Sequence, residues 1–208
     1  MIEEELHWYA LKVFYNRVFE IEDQLSRSGM ETYIPVRKTE LKGMDFLRAK
    51  KRLATKDDDR NDIRYIQAGP RIYRRDPVVA SLLFVRCSGN DILKVREKFL
   101  GYAMVYYTAD RTRPSIIPEK QMAMFRMVTS KCEEGLEFFS DESIVNYRQG
   151  DKVRVKEGPL KGAEGYIKRI KKDRRLLVAI EGFVAVATSF IPPVFLEKVE
   201  ETEAGNTL

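Results

Sequence analysis

The sequence predicts an α+β protein in two parts: an N-terminal α/β sandwich over a predominantly antiparallel sheet, then a smaller unit made of strands. Apolar and aromatic runs typical of strands alternate with segments whose apolar residues recur at helical spacing, which predicts the first part. Short strands separated by glycine turns after residue 150 predict the second part. At 208 residues the chain can hold two small domains.

The sandwich begins with the aromatic and β-branched run Trp8–Phe14, which predicts a strand. A helix follows, because Val18, Ile21 and Leu25 recur at helical spacing. Residues 32–36 predict a second strand.

Residues 38–76 differ in character, with long polar stretches and an excess of basic over acidic side chains. The basic run Lys50–Arg52 and the acidic run Asp57–Asp59 carry opposite signs a few residues apart. We expect a mobile hairpin or loop insertion here, with a short strand at residues 63–66. The three aspartates suggest a metal site only weakly, because adjacent carboxylates in a flexible run lack fixed geometry, and a solvated acidic loop is the favoured interpretation.

The sandwich resumes after the insertion. Residues 78–87 predict a buried central strand, and Asn90 is expected to cap the helix that follows it. Residues 103–107 predict a further strand, and Pro118 begins another helix. The polar stretch 140–149 predicts a linker.

The segment Gly150–Ile167 reads as an alternating strand, a Gly-Pro turn and a second apolar strand. Gly162 and Gly165 suit a tight corner, because such a corner needs positive φ or a close approach of two backbones. A second hairpin at 176–190 and a short strand at 196–199 complete a set of strands.

Composition excludes several classes of protein. The two cysteines, Cys87 and Cys132, form no CxxC pair, and His7 is the single histidine, so zinc sites and a Ser-His-Asp triad lack material. No catalytic residue, metal or cofactor is expected. No apolar run reaches the ~20 residues that cross a bilayer, so we expect a cytoplasmic protein without a membrane partner. The net charge of +5, concentrated in the C-terminal part, suits a nucleic-acid or ribosomal partner or a solvated surface.

The glycine-rich hairpin at 150–167 resembles the KOW motif, the start of a small SH3-like barrel. Together with Trp8-Tyr9, the run Leu83-Phe84-Val85 and the helix that Pro118 begins, it makes the chain similar to the NusG family over residues 6–199. The resemblance implies a NusG-like N-terminal domain at 1–139 carrying the insertion at 38–76, and a KOW β-barrel at 150–199. The residues themselves predict the linker at 140–149 and a disordered tail at 200–208. The resemblance also implies a monomeric elongation factor that is no enzyme.

Two departures from the family pattern suggest a specialised paralogue of the RfaH or UpxY kind. Leu82 stands where the family has an aromatic residue in the central strand, and Leu160 follows Gly-Pro where the family has phenylalanine. Such paralogues antiterminate transcription of particular long operons, including surface and capsular polysaccharide loci. A housekeeping NusG-type elongation and termination factor, and a ribosome-associated RNA-binding KOW protein, stay open as alternatives.

The resemblance implies that the N-terminal domain binds the clamp helices of RNA polymerase through an apolar patch. Leu82 and Phe84 share a strand face and are the candidates, although such a face is also a natural core. Trp8 and Tyr9 point to opposite faces, and we favour Tyr9 for the patch.

The resemblance implies contact with non-template DNA or nascent RNA, and two sets of residues are candidates for it. Tyr15, Asn16 and Arg17 combine a stacking ring with a cation near the start of the first helix, which suits single strands. Lys94 and Arg96 lie on the next helix. A plain solvated helix surface is the alternative for both sets.

The KOW barrel is implied to recruit a second partner, such as ribosomal protein S10 or the termination factor Rho. Candidate contacts with that partner or with RNA are Leu160, Lys161, Lys168, Arg169, Lys171 and Lys172. The basic side chains cluster around one predicted turn, where they hold RNA phosphates or only solubilise the turn.

Overall fold

The computed structural model describes residues 5–54, 64–131, 136–140, 150–170, 173–180 and 182–199. Within these residues the chain forms four α-helices and three antiparallel sheets, which confirms the predicted mixed fold. Two compact units divide between Ile116 and Ile117.

In chain order the first unit contains β1 (His7–Val13), α1 (Val18–Arg27), β2 (Glu31–Tyr33), β3 (Val36–Glu40), α2 (Gly43–Ala54), β4 (Tyr65–Ala68), β5 (Arg71–Pro77), β6 (Leu82–Cys87), α3 (Gly89–Lys98) and β7 (Ala103–Val105). The second contains α4 (Glu119–Lys131), β8 (Glu137–Ser140), β9 (Lys152–Val155), β10 (Glu164–Ile170), β11 (Asp173–Ile180), β12 (Val184–Phe190), a 3₁₀ turn at Pro193–Phe195 and β13 (Leu196–Lys198).

The main sheet of the first unit has the strand order β2-β6-β1-β7. One face packs against α1 and α3, because the strand residues Tyr9, Leu11 and Leu83 share a buried core with Ile21 of α1 and Ile92 of α3. Antiparallel pairing sets Tyr9 opposite Val85 and Leu11 opposite Leu83.

The opposite face of this sheet is also buried. Trp8, Ala10, Leu82 and Phe84 are 1%, 0%, 3% and 0% exposed, respectively. Side chains alternate between the faces of a strand, so burial of both faces explains why Leu82–Val85 of β6 form a continuous apolar run rather than an alternating pattern.

The expected mobile hairpin or loop insertion at 38–76 does contain a hairpin, formed by β4 and β5, but its described part also includes β3 and α2, which the expectation lacked. The sheet β3-β5-β4 packs against α2 around Leu41, Ala49 and Ile72. Sequence reasoning missed α2 because its apolar residues alternate with five charged side chains and, of its residues, only Ala49 is buried. The strand expected at 63–66 is β4, whereas residues 55–63 lie outside the described part.

Two local predictions also need correction. Ser88, not Asn90, is the N-cap of α3, because the Ser88 hydroxyl accepts a hydrogen bond from the backbone N–H of Asp91 at 3.1 Å. The central strand begins at Leu82 and not at Val78, since the Leu82 N–H bonds to the carbonyl of Val79 in a turn.

The described part of the second unit contains one antiparallel sheet in the order β13-β9-β10-β11-β12-β8. Helix α4 begins after Pro118 as expected and packs against β11 and β12. The prediction placed this helix in the N-terminal domain, whereas the division of the chain groups it with the later strands. Residues 141–149 and 200–208, predicted as linker and tail, lie outside the described residues.

Close backbone packing explains one glycine of the KOW-like hairpin. A Cβ atom on Gly165 would lie 2.3 Å from the carbonyl oxygen of Leu177, in the neighbouring strand β11. Only a residue without a side chain fits there. None of the described helices combines the length and apolar character that a membrane crossing requires.

Candidate nucleic-acid interface

Four residues of the first unit form an accessible group that we call the aromatic cluster: Phe14, Tyr15, Arg17 and Tyr102. Tyr15 is 78% exposed and Tyr102 is 46% exposed. The centres of the Tyr15 and Tyr102 rings are 6.5 Å apart with nearly perpendicular planes, and the Phe14 ring lies 6.3 Å from Tyr15. Aromatic surface of this extent at a solvated position is available to a ligand.

Strand pairing brings these distant residues together. β1 pairs with β7, and Val13 lies opposite Ala103. One step further along the strands, the backbone N–H of Phe14 donates a hydrogen bond to the carbonyl of Tyr102 at 2.8 Å. The residues that follow β1 are therefore fixed beside the residue that precedes β7.

The backbone turns sharply between β1 and α1. Tyr15 and Asn16 both have left-handed conformations, with φ of 58° and 56°. For a residue as bulky as tyrosine this conformation is unfavourable, and such strain of about 1–3 kcal/mol per residue concentrates at functional positions. Both residues precede the helix, which begins at Val18. The turn leaves the Tyr15 ring exposed to solvent.

Arg17 stacks on the cluster. Its guanidinium carbon lies 4.0 Å from the centre of the Tyr102 ring, and its Nε donates to a Glu20 carboxylate oxygen at 2.7 Å. The hydrogen bond to Glu20 raises the pKa of Arg17 above its ordinary value. The cluster therefore offers ring faces next to a permanent cation, which is the combination that binds bases and phosphates of a single strand.

The other predicted nucleic-acid residues lie on α3, outside the aromatic cluster. Lys94 Nζ donates to Asp91 at 2.9 Å, and hydrogen bonds from Lys94 and Ser88 lower the pKa of Asp91. Arg96 donates to the hydroxyl of Tyr107 at 2.7 Å. Both cations are exposed and, like Arg17, each already has a protein partner, but among the described residues no aromatic cluster lies beside them in this arrangement.

The predicted polymerase patch is divided between the two faces of the main sheet. Leu82 and Phe84 share a face with Trp8, as expected from alternation, but both are buried. Tyr9 lies on the other face, in the core under the helices, and desolvation raises the pKa of its hydroxyl. Preferring Tyr9 to Trp8 was therefore wrong in geometry, since only Trp8 accompanies Leu82 and Phe84.

The C-terminal candidates separate into interior and surface residues. Leu160 is 6% exposed, so its side chain packs inward, whereas Lys161 is exposed. Lys168 and Arg169 of β10 lie opposite Arg175 and Arg174 of β11. This hairpin therefore concentrates positive charge, and cations placed directly across two strands repel one another. Lys171 and Lys172 lie outside the described residues.

Phe14 and Tyr102 were not among the predicted functional residues. The adjacent Phe14-Tyr15 pair was visible in the sequence, but the contribution of Tyr102 depends on the pairing of β1 with β7, which local patterns do not reveal. Within the described residues no group of three or more His, Cys, Asp or Glu side chains is arranged to hold a metal ion.

The chain is similar to proteins of known class. A family model described as "NusG: Transcription termination factor nusG" matches residues 6–126, more than half of the chain. A solved structure described as "Domain interaction in Thermotoga maritima NusG" aligns over 94% of this chain and 98% of that chain, with 16% identity and a TM-score of 0.43. No curated protein sequence matches the chain significantly.

Proposed function

The chain belongs to the NusG family of transcription factors, and we propose that it binds transcribing RNA polymerase and suppresses pausing and termination in particular long operons. Factors of this family interact with RNA polymerase and are not enzymes. The proposal adds antitermination, the contact residues and the restriction to a subset of operons, such as surface or capsular polysaccharide loci.

The aromatic cluster is the observation that carries this proposal. It lies within the region that the family model matches, and it presents exposed rings beside Arg17. Transcribing polymerase exposes a displaced single strand, the non-template DNA, as well as nascent RNA. A factor bound to polymerase through one surface and to that strand through the cluster would hold the complex in its elongating form.

The polymerase contact is proposed at the sheet face that carries Leu82 and Phe84. Both are buried, so polymerase reaches them only when this face is uncovered. The same face continues to accessible residues, because Lys12 lies opposite both Leu82 and Met104. Met104 is 47% exposed and provides an apolar contact at the edge of the face.

For the second unit we propose a KOW barrel that recruits a further partner, with ribosomal protein S10 and Rho as candidates. The antiparallel order of β9 to β13 and the tight packing at Gly165 support a barrel-type fold. Buried Leu160 makes a direct partner contact there less favourable than one through Lys161. Together with Leu82 and the folded insertion, Leu160 supports a specialised paralogue over a housekeeping factor.

The test is single-round transcription by the cognate polymerase through an intrinsic and a Rho-dependent terminator, on a template with the natural leader. Met104→Asp probes the proposed polymerase face without removing a buried side chain. Leu47→Asp is a matched control, because Leu47 is an exposed leucine of α2, the helix that packs against the separate sheet β3-β5-β4.

Increased read-through that Met104→Asp lowers and Leu47→Asp preserves supports antitermination through this face. Increased termination instead favours the housekeeping alternative. Binding to ribosomal RNA, without binding to the elongation complex or any effect on read-through, favours the ribosome-associated alternative and overturns the proposal.

A further inference from the structure

The folded insertion contains a cavity of about 480 Å³ between α2 and the sheet β3-β5-β4. Four cations line it together with one carboxylate, one aromatic ring and one leucine. The cations are Arg48, Lys51, Arg52 and Arg74. None of these residues belongs to the aromatic cluster or to the proposed polymerase face.

Local structure explains why these side chains converge. Asp45, Arg48 and Arg52 recur at three- and four-residue intervals, so they lie along one stripe of α2. On the sheet, Tyr65 of β4 lies directly opposite Arg74 of β5, and directly paired residues share a face. The small core around Ala49 and Ile72 holds the helix against this sheet.

The cavity is electropositive. Its lining contains four positive charges and one negative charge. Arg48 pairs with Asp45 at 3.6 Å, and Arg74 uses its Nε to bond Asp76 at 2.7 Å. A guanidinium has five N–H donors, so arginines with one engaged edge keep donors for a further anion.

We propose that this cavity binds a nucleotide. The arginines match phosphate oxygens, the half-buried Tyr65 ring offers a stacking surface for a base, and Asp45 accepts a hydrogen bond from a sugar hydroxyl or a base amino group. A bare phosphate would leave the ring and the carboxylate without a role. The volume falls in the range of about 300–1,000 Å³ typical of small-molecule sites.

The nucleotide can be free in solution or part of a single strand, and binding measurements distinguish these sources. The full-length chain is titrated in separate experiments with a set of nucleoside triphosphates, a short single-stranded RNA and inorganic phosphate. The cavity variant is Arg48→Glu/Arg52→Glu. Its charge-matched control is Arg37→Glu/Lys50→Glu, two exposed cations of β3 and α2 outside the lining.

We expect the cavity variant to lose about tenfold or more in affinity, since a hydrogen bond to a charged group contributes about 1.5–3 kcal/mol. The control variant should lose less. A second variant, Tyr65→Leu, keeps the packing against α2 but removes the stacking ring, and it should weaken the nucleotide without affecting any weak binding of inorganic phosphate.

Free nucleotide is the ligand if a triphosphate binds with this sensitivity, and a strand is the source if only the RNA does. The proposal is overturned if neither ligand binds, if the cavity variant and its charge-matched control weaken binding equally, or if inorganic phosphate binds as tightly as the nucleotide. Circular dichroism spectra and melting curves identify a variant that fails to fold. In that event the single substitutions Arg48→Gln and Arg52→Gln replace the double variant and are judged by the same outcomes.

Discussion

Arg17 stacks on Tyr102 across 85 positions of sequence, with its guanidinium carbon 4.0 Å from the ring centre. The contact exists because β1 and β7 are paired neighbours, and it orders a long cationic side chain that would otherwise sample many rotamers. A single strand that binds here meets a cation already held beside an aromatic surface, so less conformational entropy is lost on binding.

Removing one ring of the aromatic cluster should weaken single-strand binding. We expect Tyr15→Ala to lower affinity for a short single-stranded DNA or RNA about tenfold, because stacking contributes about 1–3 kcal/mol per base. Fluorescence anisotropy at fixed salt measures the change. Phe190→Ala, at another exposed aromatic residue, is the control and should have no effect.

Salt dependence separates the charge of Arg17 from the rings. If Arg17 contacts one phosphate, Arg17→Gln should reduce the slope of log affinity against log salt by about 0.7 for a single strand. Tyr15→Ala should leave that slope unchanged. An unchanged slope for Arg17→Gln would mean that this arginine only orders Tyr102.

Loss of the Ser88 cap should destabilise the first unit. Ser88→Ala removes the acceptor for the Asp91 N–H and should lower the free energy of unfolding by about 1 kcal/mol. Asn90→Ala, at the residue that the sequence suggested as the cap, should lower it by less, because Asn90 does not accept the capping hydrogen bond. Urea unfolding measures both, and an equal loss in the two variants would contradict the assignment of the cap.

A methyl group at position 165 should disturb the second unit. Gly165→Ala places Cβ against the Leu177 carbonyl, and such overpacking typically costs about 1–3 kcal/mol. Gly89→Ala is the comparison, because the nearest atom to its Cβ would be the Tyr9 hydroxyl oxygen at 4.0 Å. Thermal unfolding should show a lower midpoint for the first variant only.

The buried thiol of Cys87 should make stability depend on alkaline pH. Burial raises the pKa of Cys87 to about 12, above its value in the unfolded chain. The neutral thiol therefore contributes stability that is fully present below the unfolded pKa and is lost as pH rises through the interval up to the folded pKa.

This prediction is tested in a Cys132→Ser background, with Cys87→Ala as the comparison. Between pH 7 and about pH 10, the background protein should lose more unfolding free energy than the Cys87→Ala variant, by roughly 1.4 kcal/mol for each pH unit above the unfolded pKa. A difference that does not vary with pH would show that the thiol ionises equally in both states.

Much of the fold could be predicted from sequence, because aromatic runs, the spacing of apolar residues and a proline at a helix start mark its elements. The aromatic run after residue 7, the helical spacing of Val18, Ile21 and Leu25, and Pro118 before α4 all correspond to observed elements. Helix α2 was not predicted, because only a narrow stripe around Ala49 is buried while many of its charged side chains are exposed. Stability there comes from tertiary contact with Ile72, which no local pattern reports.

The candidate site was predictable only in part, for a geometric reason. Tyr15 and Arg17 are close in sequence, so their combined chemistry was visible. Their partner Tyr102 immediately precedes β7, and the choice between Trp8 and Tyr9 depends on which face the helices cover. Alternation along a strand separates two faces but does not say which one is packed against helices.

The pairing of Val36 with Pro77 has a consequence for how quickly the chain folds. β2 must find β6 across residues 34–81, and closing so long a flexible loop has an entropic cost that slows folding. The hairpin of β4 and β5 needs only local contacts, and β3 then docks beside it, which draws Val36 and Pro77 together. We therefore expect the insertion to fold early, after which only a few flexible residues separate β2 from β6.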